Sequence, residues 1–182
     1  EHAIANPANF SVNQSRSFSR LSTILVSFLR AEADTEANIN GAKNVRDATY
    51  FLGKTNDDSL TAANDNLETY LSLGPNRYPV YPTQRMSTHY MFYLDALGKL
   101  NSDAHHPGIT LKKYRKDALV LGWNLEKAHA GSRAAWSALS TRNGDLLSVF
   151  IKNAPTHTIK MMVTAHFEVI CRISAQGCDL LD

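Results

Sequence analysis

Near the C-terminus, the segment IKMMVTAHFEVICRISAQGC (159–178) carries His166, Glu168, Cys171 and Cys178 close together. Imidazole, carboxylate and thiolate are the ligands of zinc and iron sites. A strand tests this idea by parity, because successive side chains point to opposite faces. Alternate positions from Ile159 to Ile173 are all apolar, with Cys171 among them. That face is expected to be the core side, and Cys171 a buried thiol acting as a small hydrophobe. Lys160, His166, Glu168 and Arg172 fall on the other face. A ligand set made of His166, Glu168 and Cys171 is therefore split between two faces. The outer four are instead expected to form an inter-subunit contact.

The remaining constellations are weaker. His105 and His106 stand with Asp103 before Pro107, and His2, His89, His129 and His157 are scattered. There is no HExxH pair and no G-x-S-x-G elbow. Gly122, Gly131 and Gly144 are isolated, which excludes a phosphate-cradling loop, and Asp57-Asp58 lies in an Asn-rich turn. Two basic segments, RSFSR (16–20) and LKKYRK (111–116), read as solvated faces more readily than as phosphate contacts. The aromatic run HYMFY (89–93) reads as a helix packing onto a sheet rather than as a base-stacking platform. No catalytic residue, cofactor or metal is expected, and the chain is not read as an enzyme.

The elements that would position these residues are mostly strands. SRSFSRLSTILVSFL (15–29) alternates, with Ser22, Ile24, Val26 and Phe28 on one face. Further strands are expected at 45–53, 67–74, 118–126, 145–153 and 157–173. RYPVYPTQR (77–85) has two prolines, which lack the N–H of a central strand, so it is an extended connector or an edge. One clear helix is expected near 87–100, capped by Ser87 or Thr88, with Tyr90, Tyr93, Leu94, Leu97 and Leu100 at helical spacing. Residues 1–14 read as an N-terminal arm or linker, and 15–182 as one domain with long loops at 30–66 and 127–144. Strands do not alternate with helices, so the expected class is mostly β, an antiparallel β-sandwich or jelly roll.

Composition agrees with one ordinary domain. The chain has 182 residues, 43% hydrophobic and 20% charged, and its 19 Lys and Arg against 17 Asp and Glu leave a net charge of +2. That balance gives no argument for nucleic-acid binding, and contact with nucleic acid stays open. No apolar run is long enough to span a membrane, and no signal peptide is recognised. The two cysteines are seven apart, which is no zinc-knuckle spacing, and reduced thiols of an intracellular protein are the expectation.

The order of features resembles a known family. SRSFSRLSTILVSFL comes first, RYPVYP leads into a helix, NGDLLSVFIKN (143–153) follows a turn, and TIKMMVTAHFEVICRI (158–173) closes the series. This arrangement is similar to the C-terminal jelly roll of the double jelly-roll major capsid proteins of Polinton-like viruses and virophages. The resemblance implies a structural capsid subunit that self-assembles into a shell in the host cell and resides in the virion. It implies copies of the chain itself as partners, as a trimer, together with other capsid proteins. This chain has room for one jelly roll, which departs from the family. It is then either the C-terminal part of a longer chain, whose upstream jelly roll would be a partner, or a single-jelly-roll relative. The start at Glu1 rather than Met favours the former. The alternative function is a carbohydrate- or ligand-binding jelly-roll module using Tyr78, Tyr81 and Trp136. A metal-dependent jelly-roll enzyme would need a histidine cluster inside the barrel.

Overall fold

A computed structural model of the chain describes residues 2–4, 9–30, 67–100, 108–116, 119–126, 139–142, 145–153, 159–174 and 177–181. The protein is mostly β. The described residues form ten strands: β1 (His2–Ile4), β2 (Asn9–Gln14), β3 (Leu21–Arg30), β4 (Glu68–Leu73), β5 (Asn76–Thr83), β6 (Val120–Asn124), β7 (Leu147–Lys152), β8 (Ile159–Phe167), β9 (Ile170–Ser174) and β10 (Gly177–Leu181). Two helices, α1 (Met86–Ala96) and α2 (Leu111–Lys116), lie between β5 and β6. Eight strands form two four-stranded antiparallel sheets, in the orders β1-β8-β3-β6 and β2-β7-β4-β5. β9 and β10 pair as a separate hairpin.

Alternation explains which side chains meet. In β3, Ser22, Ile24, Val26 and Phe28 are all buried, as their shared parity requires. Leu71 and Leu73 of β4 and Leu147, Val149 and Ile151 of β7 point inward from the second sheet. They join Ile24, Phe28, Leu121, Trp123 and Met161 of the first sheet in one apolar cluster. β5 occupies the edge its two prolines demand, and Gly74, at φ 55°, makes the turn from β4 into it. α1 lies on β6, so closely that a Cβ at Gly122 would sit 3.1 Å from the Tyr93 Cα.

Several expectations are corrected. Residues 2–4 and 9–14 belong to the expected arm, yet β1 pairs with β8 and β2 with β7 along its whole length. Alternating short segments without a strong apolar face carry little signal, and their pairing is a backbone event. Residues 15–20 are not strand; β3 begins at Leu21. Leu21 is tied to Leu139 by two backbone hydrogen bonds of 2.8 and 3.1 Å, and the register against β8 shifts between Leu21 and Thr23. α1 starts at Met86 behind an Arg85 N-cap that makes no side-chain capping bond, so neither Ser87 nor Thr88 is the cap. Residues 111–116, given no regular structure from the sequence, form α2 around the buried Tyr114.

The largest correction concerns the closing strand. It ends at Phe167, and residues 168–169 break it before β9. Beyond the break, Cys171, Arg172 and Ile173 are all exposed on the separate β9–β10 pair, so Cys171 is not in the core. Cys171 is disulfide-bonded, not a free thiol. The chain's other cysteine is Cys178, whose register position faces Ile173, while Cys171 faces Leu180. The strand expected at 45–53 lies outside the described residues, as do nearly all of the loops at 30–66 and 127–144.

Candidate contact surface

Lys160, His166, Glu168 and Arg172 do not share one strand face. Lys160 and His166 belong to β8, at register positions facing Leu29 and Thr23 of β3. His166 is exposed, and its carbonyl accepts a hydrogen bond of 3.1 Å from the Ser22 hydroxyl. Glu168 stands in the break, where its N–H donates to the Arg20 carbonyl at 2.9 Å. Arg172 is exposed on β9, facing the position of Asp179 on β10. The break after Phe167 separates Arg172 from the β8 pair.

Another group gathers at the end of β8. Phe167 lies at the end of β8 with its ring centroid 5.3 Å from that of Phe18. The Arg16 guanidinium sits over both rings, 5.6 Å from Phe18 and 5.2 Å from Phe167. Phe18 is buried and held from both sides of its backbone: its N–H donates to the Thr141 hydroxyl at 2.6 Å, and its carbonyl accepts from the Thr141 N–H at 2.8 Å. These residues border a cavity of about 220 Å³ between the two sheets. Its walls include Val163 and Ala165 of β8, with Gln14 of β2 and Leu147 of β7 opposite. Arg16 and Phe18 are two apart in RSFSR, and an extended chain puts them on one side. Phe167 could be joined to them only by the fold.

Other sequence candidates disperse. Lys112 and Lys113 are exposed on α2. Tyr81 is 83% exposed on the β5 edge, whereas Tyr78 is half-buried against the core. His105, His106, His129, His157, Asp57, Asp58 and Trp136 lie outside the described residues. Among the described residues, no three His, Cys, Asp or Glu gather as metal ligands. None of the described helices is long and apolar enough to cross a membrane.

The buried titratable groups are structural. His89 of α1 is buried and bonded at both nitrogens, Nδ1 to the Arg85 carbonyl at 2.8 Å and Nε2 to the Thr69 hydroxyl of β4 at 3.0 Å. A carbonyl can only accept, so Nδ1 carries the proton and Nε2 accepts from Thr69. Burial pushes the His89 pKa down to about 4, opposed by the bond to Arg85. Tyr114 is fully buried, and burial raises its phenol far above the usual range, as it does more weakly for Tyr93. The Tyr114 hydroxyl donates to the Val120 carbonyl of β6 at 2.9 Å, fastening α2 to the sheet, and the Tyr90 hydroxyl donates to the Ile109 carbonyl at 2.7 Å, tying α1 to the segment that leads into α2. Tyr114→Phe is expected to lower the unfolding free energy by about 1 kcal/mol, the net worth of one buried hydrogen bond. Urea titration checks it; an unchanged midpoint would show the hydroxyl contributes nothing.

No protein-family model, curated protein or solved structure matches this chain.

Proposed function

We propose that the chain is an eight-stranded jelly roll acting as a structural capsid subunit that self-assembles into a shell. The observation that carries this reading is the strand order. β1 pairs with β8, β2 with β7, β3 with β6 and β4 with β5. This nesting is that of one long antiparallel hairpin wrapped around a core, and the lateral pairs β3–β8 and β4–β7 join its turns into two sheets. Two sheets so interleaved are the mark of a jelly-roll double sheet. The architecture hosts many functions, so the step to a capsid rests on the family resemblance. Assembly would be symmetric, trimeric by the same resemblance, with copies of the chain and other capsid proteins as partners and the virion as location.

Light scattering and electron microscopy of the purified protein test this. Oligomers or particles that grow with concentration are the expected result. A strict monomer, alone and with any upstream jelly-roll partner, overturns it.

One observation favours a second reading, a carbohydrate- or ligand-binding module. Tyr81 is 83% exposed on the β5 edge, an aromatic face a sugar ring could cover. A glycan array with a binder lost on Tyr81→Ala, and no assembly, would select it.

A further inference from the structure

We infer that Asn9 and Asn13 of β2 are acceptor sites for N-linked glycans, attached in an oxidising compartment through which the protein matures. Asn9-Phe10-Ser11 and Asn13-Gln14-Ser15 each place a serine two residues after an asparagine, with no proline between. That triplet is the acceptor sequon, and the sequence holds no other. A triplet this short arises often by chance, so what counts is where the fold puts it.

Asn9, Ser11 and Asn13 are alternate positions of β2 and all three are exposed, as is Ser15 just beyond its end. Val12 between them is buried, and Phe10 and Gln14 are half-buried. Each asparagine thus stands on the outward face with its own serine exposed beside it. Both side chains are held by their oxygens. Oδ1 of Asn9 accepts from the Asn153 N–H at 3.1 Å, and Oδ1 of Asn13 accepts from the Ser148 hydroxyl at 2.8 Å. Among the described residues no hydrogen bond engages either Nδ2, the atom that takes the sugar. Glycosylation replaces one Nδ2 hydrogen and leaves Oδ1 an acceptor, so both bonds survive it. At about 3.3 Å per residue the two sites stand roughly 13 Å apart along the strand.

The second observation is independent. Cys171 is exposed and disulfide-bonded, on β9, which pairs with β10 and not with the sheet of β2. Disulfides persist in the secretory pathway and outside the cell, and are rare where glutathione keeps thiols reduced. The secretory pathway is also where N-linked glycans are attached. There the asparagine Nδ2 attacks the anomeric carbon of an oligosaccharide carried on a lipid pyrophosphate. A C–N bond replaces the C–O bond to the phosphate, Nδ2 loses one proton, and the lipid pyrophosphate leaves. The transferase belongs to the compartment, so the chain itself needs no catalytic group. None of this depends on the capsid reading, because it concerns one strand face and one disulfide.

Protein isolated from its natural source tests the inference. Glycosidase treatment in heavy-oxygen water converts each glycosylated asparagine into labelled aspartate, read in the tryptic peptide that ends at Arg16. Label at both positions is expected. Label at neither overturns the inference, and label at one alone overturns the other site. Alkylation without reductant should leave Cys171 unmodified; an alkylated Cys171 overturns the oxidising compartment. The whole chain, sent through a eukaryotic secretory pathway, separates the sites by intact mass. Ser11→Ala and Ser15→Ala should each remove one glycan, and the double variant both. These changes keep the asparagines and their hydrogen bonds, and neither serine hydroxyl makes a hydrogen bond among the described residues. Ser17→Ala, exposed but outside both triplets, should remove none. A parent without glycans, or a glycan that persists in the double variant, overturns the assignment.

Discussion

Gly122→Val is expected to lower the unfolding free energy by about 3 kcal/mol, the upper end of ordinary overpacking costs. Gly122 lies mid-strand in β6 under α1. A Cβ there would stand 2.9 Å from the Ala96 Cβ, 3.1 Å from the Tyr93 Cα and 3.3 Å from the Leu25 Cδ2. The first and third neighbours are side chains, but the second is helix backbone, which can give only if α1 moves. That movement would strain the bonds that hold α1 in place, including Tyr90 to Ile109 and His89 to Thr69. Gly122→Ala should cost less, and Ala96→Gly should recover part of that loss while leaving the contact with the Tyr93 backbone. Alone, Ala96→Gly costs about 1 kcal/mol through helix propensity, so the pair should be strongly non-additive. Denaturant unfolding of the parent, the three single variants and the Gly122→Ala/Ala96→Gly pair measures this. Simple additivity, or a Gly122→Val midpoint equal to the parent's, would mean that α1 is not seated on β6 as described.

Acid should destabilise the protein through His89. The imidazole is neutral in the folded chain, with a pKa of about 4 against 6.5 when unfolded. A folded pKa below the unfolded one means that the unfolded chain takes up the proton first. The stability in place above pH 6.5 therefore falls as the pH drops, and it levels off below about 4. The loss is about 3 kcal/mol, from about 1.4 kcal/mol per pH unit over that window. Protonation also forces Nε2 to donate, so the Thr69 hydroxyl must turn to accept. His89→Gln is less stable at neutral pH but cannot titrate. The stability gap between parent and variant should narrow from pH 6.5 to 4, and a gap independent of pH would sink the assignment.

Much of the architecture was legible from the chain because burial writes itself into side-chain alternation. The inward set of β3, the apolar stripe from Leu71 to Leu73 and the run 120–124 each declare which face meets the core. The prolines of RYPVYP declare an edge by lacking donors. The helix is legible from Tyr90, Tyr93 and Leu94 at helical spacing.

The sequence by itself determined the central strands β3, β4, β6, β7 and most of β8, the face that β3 buries, and where one helix must lie. The tertiary structure alone decided the pairing, because backbone hydrogen bonds leave no trace in side-chain type and a strand's partner can be anywhere in the chain. So residues 2–4 and 9–14, read as an arm, became strands of two sheets. The break after Phe167 could not be foreseen in an apolar run that alternates through it. Beyond that break Cys171 lies exposed and disulfide-bonded, with Arg172 set apart from His166, while the pairing of β8 with β3 brings Phe167 against Phe18 and Arg16.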